Sequence, residues 1–274
     1  MVEYDFSDKV AFVTGAARGQ GASHAVSYAE HGADVVVTDI CENMETVSYD
    51  LGTREELEDT ASRIEAQGQD ALVLEMDVRE EAEVESAVDE ALDEFGRIDF
   101  LANNAGVLGT SPVLELEEEK WDEMLDTNLK GVWLCAKHVG RHYADRDGPG
   151  KIISTVSTGG FRASLGEAAH YGAAKWGIRG LTKTLAIELA EHDVNANCVV
   201  PTGIDTAMVR GMAEEAGEEV FEQMQAMSGP SNIFEPGETI EVEDVSEAYM
   251  WLSSEAARYV TGSALKVDAG DLAK

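Results

Sequence analysis

Tyr171 and Lys175 stand four positions apart in HYGAAKWG, residues 170–177. On a helix that spacing sets a phenol and an ammonium one above the other on a single face. A phenol beside a cation can exchange a proton with an alcohol or carbonyl oxygen, because the cation favours the phenolate. The same spacing also describes an ordinary half-buried ring beside a solvated amine, so the pair needs partners before it means chemistry. TGAARGQG, residues 14–21, offers some. Gly15, Gly19 and Gly21, with Arg18 and Gln20 among them, follow the apolar run VAFVT directly and precede ASHAVSYAEHG. Glycines there permit a tight turn and let the backbone approach a pyrophosphate, whose charge faces a helix N-terminus. A plain strand-to-helix turn is the competing reading. Asp39 closes the next apolar run, ADVVVTD, about 20 residues on, where a carboxylate can hold both hydroxyls of a ribose. It would repel a 2′-phosphate, and Ile40 and Cys41 behind it add no cation. NAD is therefore favoured over NADP, with Arg18 as the one residue that argues the other way.

These residues need a scaffold that brings several strand ends and one helix to a common edge. The chain alternates apolar runs at 10–14, 33–39, 70–77, 97–106, 151–157, 194–200 and 263–270 with amphipathic stretches. Helices are expected at about 53–67, 80–95, 117–143, 168–191 and 243–253, and Thr53 with Glu56 has capping-box spacing. Apolar strands alternating with helices predict an α/β fold, a Rossmann-type doubly wound parallel sheet of about seven strands with helices on both faces. Residues 204–240, with Met208, Met212, Met224 and Met227, break the rhythm and read as a substrate lid or as core packing. No Pro/Gly/Ser linker divides the chain, so 1–274 reads as one domain.

Composition narrows the partners. There are 54 Asp and Glu against 20 Lys and Arg, a formal net charge of −34. Nucleic acid and anionic membranes would be repelled. The acid lies in periodic segments such as EEAEVESAVDEALDEF, not in a tail. It resembles the composition of proteins from cells that hold molar salt, where the Debye length is about 3 Å. No run approaches the roughly 20 apolar residues of a membrane span, and the acidic N-terminus lacks the blocks of a signal peptide. A cytoplasmic location is expected. Cys41, Cys135 and Cys198 show no CxxC pairing and read as buried small residues. His138 and His142 have metal-site spacing without a third ligand, and a solvated or interface pair is the preferred reading.

In this order and at these intervals, TGAARGQG, Asp77-Val78, NNAG (103–106), Asn128, Ser157 and YGAAK (171–175) resemble the short-chain dehydrogenase/reductase family over nearly the whole chain. The resemblance implies hydride transfer between NAD(H) and a secondary alcohol or ketone, with Tyr171 as general base and acid. It implies that Lys175 supports the phenolate and binds the nicotinamide ribose, that Ser157 holds the substrate oxygen, and that Asn128 holds a relay water. It places Asp77 and Val78 at the adenine and Asn104, Ala105 and Gly106 beside the adenosine ribose. Pro201, Gly203, Ile204 and Thr206 of PTGIDT fall at the nicotinamide carboxamide, with Thr202 where the family has glycine. Phe161, Leu165 and the methionines would shape a fairly apolar substrate pocket. The family habit is a homotetramer built from helices 117–143 and 168–191 and the last strand.

An insertion at 41–53, with PTGIDT and VDAGDLAK, resembles the mycofactocin-coupled subgroup, which includes carveol dehydrogenases. There the insertion covers a cofactor that stays bound and is reoxidised by an external redox carrier. A surface loop of no consequence is the other reading of 41–53. A non-catalytic NAD-binding regulator on the same fold is the alternative function, and the intact Asn-Ser-Tyr-Lys set argues against it.

Overall fold

The structure, a computed structural model, describes residues 4–146, 148–163, 167–216 and 231–274. Seven strands are present: β1 (Val10–Thr14), β2 (Asp34–Asp39), β3 (Ala71–Glu75), β4 (Phe100–Asn103), β5 (Gly150–Thr155), β6 (Val194–Pro201) and β7 (Ala264–Val267). All pair in parallel in the order β3-β2-β1-β4-β5-β6-β7. That is the doubly wound sheet expected from the sequence.

Alternation within the strands explains its two covered faces. Ala11 and Val13 of β1, with Val35 and Val37 of β2, pack against helices α1 (Gly19–Glu30), α2 (Arg54–Glu65) and α8 (Val242–Ser253). Val10, Phe12 and Val36 point the other way, toward α3 (Glu81–Phe95) and α5 (Gly131–Asp145). A side chain on either face is buried, so each strand reads as a continuous apolar run. The α2 start forms the expected capping box, with Glu56 N donating to Thr53 Oγ1 at 3.2 Å and Thr53 N to Glu56 Oε2 at 2.9 Å.

The chain reverses its winding direction between β1 and β4, which opens a crevice at the carboxyl ends of the strands. Helix α6 (Ala169–Glu188) carries its face to that edge, and α7 (Ala207–Ala216) lies after β6. The helix expected at 117–143 is α4 (Glu118–Leu125) joined to α5 by a π-turn, Asp126–Lys130. The strand expected over 97–106 pairs only at Phe100–Asn103, because Asn104 leaves the ladder to bond Thr14 O and Gly15 O at 3.2 and 3.1 Å.

Two smaller expectations are corrected. For His138 and His142, expected as a solvated or interface pair, the solvated reading is corrected. His138 is buried with Nε2 3.3 Å from Glu81 Oε1, and His142 Nε2 accepts from Ile98 N at 3.2 Å. Cys135 and Cys198 are buried, but Cys41 is half-buried and holds a positive φ of 55° where the insertion leaves β2. No helix among the described residues is long and apolar enough to cross a membrane.

Candidate active site

The carboxyl ends of β1, β4, β5 and β6 open onto a cleft of about 1570 Å³. At one end lies the glycine turn. Gly15 and Gly19 adopt φ of 66° and 58°, strained for any side chain, and a Cβ on Gly21 would run into the Gly15 carbonyl. The first turn of α1 holds no acidic residue, so its N–H groups face the cleft unopposed. Gln20 lines the cleft, and its Oε1 is buried without a protein partner.

Asp39 borders the same end. Its Oδ2 accepts from Ala17 N at 3.1 Å, yet burial dominates and lifts the carboxyl above its ordinary range. Arg18 does not stand ready for a phosphate. Its guanidinium donates to the Asp50 carbonyl and lies 3.9 Å from Glu56 Oε1, so the insertion and α2 hold it. Ile40, Asp77 and Val78 also border the cleft. The Asp77 carboxylate is shared, taking Arg79 Nε at 3.0 and 2.9 Å and Nη2 at 2.6 Å, while Arg79 Nη1 reaches Glu123 at 2.5 Å. Beside the glycine turn, Ala105 N donates to Thr14 Oγ1 at 3.0 Å, and a Cβ on Gly15 would approach Ala105 Cα to 2.8 Å.

Ser157, Tyr171 and Lys175 meet at the middle of the cleft. Ser157 follows β5, with its Oγ accepting from Gly159 N at 3.2 Å. Lys175 Nζ lies 5.5 Å from the Tyr171 ring centroid and donates to Thr155 O at 3.0 Å. Burial raises the Tyr171 phenol above its usual value of 10.0, and a hydrogen bond with Ser157 offsets part of this. Burial also lowers Lys175 to about 8. The sequence leads one to expect Lys175 to depress the phenol; among the protein's own groups desolvation is the larger effect.

Asn128 sits in the π-turn with its side chain fully engaged. Val107 N donates to its Oδ1 and its Nδ2 donates to Val107 O, both at 2.8 Å, with Met124 Sδ at 2.9 Å from Nδ2. The side chain therefore pins the loop after β4, where a Cβ on Gly106 would lie 2.7 Å from Asn128 Oδ1.

Pro201, Gly203, Ile204 and Thr206 border the cleft after β6. Ile204 bridges to Ile240, and Thr206 Oγ1 accepts from Val209 N at 3.4 Å at the start of α7. Met208 also lines the cleft, but Phe161 does not: the Arg179 guanidinium stacks 3.5 Å over its ring and engages it elsewhere. Leu165, the Met212 side chain, Met224 and Met227 lie outside the described residues.

Three bordering side chains gain no role from the motifs. Tyr49, from the insertion, accepts from Leu108 N at 3.1 Å across the cleft. Arg162 and Asp271 pair at 2.7 Å. Asp271 lies within VDAGDLAK, whose resemblance assigns it no role, and Arg162 belongs to no motif.

A family model described as enoyl-(acyl carrier protein) reductase matches residues 15–271. The chain belongs to the short-chain dehydrogenase/reductase family. It is 38% identical over 274 residues to (−)-trans-carveol dehydrogenase of Rhodococcus erythropolis, covering 97% of this chain and 98% of that one. Carveol dehydrogenase from Mycobacterium avium in complex with NAD superposes with a TM-score of 0.86 at 36% identity, over 98% of this chain and 99% of that chain. Levodione reductase gives 0.84 at 28% identity, over 98% and 99%.

Proposed function

We propose that the protein is an NAD-dependent oxidoreductase acting on an apolar secondary alcohol or ketone, with Tyr171 as general base and acid. The observation that carries this reading is the convergence of Ser157, Tyr171 and Lys175 on one cleft with the glycine cradle and Asp39. The residues present fit the dinucleotide. Gly15, Gly19 and Gly21 hold a tight turn that side chains would break, Gln20 Oε1 lacks a protein partner, and the Asp39 carboxylate borders the cleft. With Arg18 turned to Asp50, the Asp39 carboxylate opposes a 2′-phosphate without help from that cation, which supports NAD over NADP. The relative named as carveol dehydrogenase in complex with NAD points the same way.

NAD supplies the hydride acceptor at C4 of the nicotinamide and a positive ring charge in the oxidised form. Tyr171 takes the hydroxyl proton of the alcohol at its phenolate oxygen. Ser157 holds the substrate oxygen, and its hydrogen bond with Tyr171 stabilises the phenolate before the proton moves. Lys175, an ammonium below about pH 8, contributes positive charge near the phenol and is steadied by Thr155 O. Asn128 keeps the Val107 loop in place against this centre.

Met44 and Leu51 of the insertion bury against Val107 and Met124, with Tyr171 packed on the same cluster. A Cβ on Gly52 would lie 3.1 Å from Asp39 Oδ1, so the insertion runs directly over the ribose-binding carboxylate. This supports a cofactor held through turnover and reoxidised by an external redox carrier, as in mycofactocin-coupled dehydrogenases. Trp133 on α5 and Trp176 on α6 are 43% and 50% exposed, which supports a homotetramer formed through those helices.

The test is a screen of neutral secondary alcohols, carveol among them, followed by reduction of an artificial electron acceptor as well as by NADH absorbance. Alcohol-dependent reduction is expected. A protein that binds NAD and oxidises no alcohol would instead be a regulator.

A further inference from the structure

The C-terminal stretch VDAGDLAK carries a carboxylate that the reaction above does not use. After β7 the chain makes a tight turn, with Ala269 and Gly270 at φ of 44° and 79°. Asp268 braces it by accepting from Gly270 N at 3.2 Å and Leu272 N at 3.0 Å. The turn delivers Asp271 to the cleft wall, where it is only 1% exposed. Asp271 Oδ2 takes Arg162 Nη2 at 2.7 Å and Thr202 Oγ1 at 3.1 Å, and Lys274 Nζ lies 3.2 Å from Oδ1. Arg162 belongs to the loop that carries Ser157, and Thr202 to the loop after β6. One carboxylate thus joins two walls of the cleft, and all three side chains border it.

A carboxylate this buried is costly to desolvate, and an apolar side chain could close the same space without that cost. Its consequence for the cleft lies in Arg162, whose side chain is 33% exposed. Without a partner, that guanidinium would be a planar fork suited to a substrate carboxylate. We propose that Asp271 is a positioning residue that also sets the charge of the accepted substrate. It holds Arg162 against the wall and neutralises it, so that the cleft takes neutral alcohols and ketones and not anionic ones. Masking the guanidinium withholds the contact an anionic substrate would gain, and specificity is a difference of affinities. Thr202 fits the same account. Its hydroxyl, standing where the family has glycine, is a second donor to this carboxylate.

The proposal rests on the alcohol dehydrogenase reading, and the test separates the two. Wild type, Asp271→Asn and Thr202→Gly are compared with carveol and with 3-hydroxybutyrate, measuring kcat, KM and bound NAD. Wild type is expected to use carveol and to discriminate strongly against 3-hydroxybutyrate. Asp271→Asn should raise the carveol KM and shift the ratio of kcat/KM toward 3-hydroxybutyrate by about tenfold or more. Its bound NAD, measured alongside, separates an effect on the substrate from one passed through Thr202 to the cofactor. Thr202→Gly, which keeps the ion pair, should raise the carveol KM without moving that ratio. Should Asp271→Asn fail to fold, Arg162→Met carries the test: it should raise the carveol KM and leave 3-hydroxybutyrate excluded. An unchanged ratio in Asp271→Asn, or a wild type that oxidises both alcohols alike, overturns the proposal and leaves the dehydrogenase reading standing. A wild type that oxidises no alcohol overturns both.

Discussion

Tyr171 must give up a proton from a place where burial opposes it. Desolvation raises the phenol above 10.0, a hydrogen bond with Ser157 offsets part of this, and Lys175 nearby is itself lowered to about 8. The signs fix the pH response. Alcohol oxidation needs the deprotonated phenol, so its rate should climb as pH rises from 6 toward 9, and ketone reduction should fall over the same span. Lys175 carries its charge fully only below about 8, so Lys175→Met should push the oxidation limb to higher pH. Tyr171→Phe keeps the ring and its packing but removes the proton acceptor. Turnover should drop by roughly 10²- to 10⁴-fold with bound NAD unchanged, measured by single-turnover hydride transfer and by extraction of the cofactor. A Tyr171→Phe rate near that of wild type would show that another group moves the proton. At this scale the four-residue spacing and its companions Ser157 and Asp39 were legible, because short motifs record local geometry. Arg162 was not, nor were the partners of Asp271 and Tyr49, since each acts on a segment far from it in sequence.

The strands and most helices could be placed from alternation of apolar and amphipathic runs, and α2 to within a residue of its capping box. The π-turn at Asp126–Lys130 leaves no periodic signature, because one extra residue in a helix does not disturb the apolar face enough to read. The insertion is the element whose course sequence alone left open between a cover and an outward loop. Met44 and Leu51 are buried, and Tyr49 spans the cleft to Leu108 N. A Cβ on Gly211 in α7 would collide with the Tyr49 side chain, so this helix interior carries a glycine where the two elements touch. A cover built this way should release NAD slowly, and the purified protein should emerge from gel filtration with NAD bound. Tyr49→Phe removes one hydrogen bond of about 1 kcal/mol and should speed NAD loss about fivefold. Deletion of 42–50 should empty the protein and let added NAD support repeated turnover. Wild type that elutes empty and runs well on added NAD would mean that the cover opens freely.

For the molecule as a whole, the order of apolar and amphipathic runs foretold a doubly wound α/β sheet, and the seven parallel strands agree. What composition leaves open is how a chain with a net charge of −34 stays folded. Part of the answer is local. Buried Asp99 is met by Arg97 at 2.6 Å and Arg146 at 3.3 Å, pairs that solvent salt screens little. The excess acid lies elsewhere, on exposed faces such as those of α2 and α3, where Glu55, Asp59, Glu65, Asp89 and Asp93 face water. Their mutual repulsion favours the expanded chain, which spreads the same charges further apart. The Debye length falls from about 10 Å at 0.1 M to about 3 Å at 1 M, shorter than most distances between these carboxylates. Stability should therefore rise with salt. Thermal unfolding followed in KCl from 0.05 to 2 M should show Tm climbing by several degrees, most steeply below 1 M where the screening length changes fastest. Exchanging a handful of exposed α2 and α3 glutamates for glutamine should flatten that dependence by raising the low-salt Tm, since it removes repulsion without adding an attractive pair. A Tm that stays flat or falls as KCl rises would show that the acidic surface is not what limits this fold at low salt.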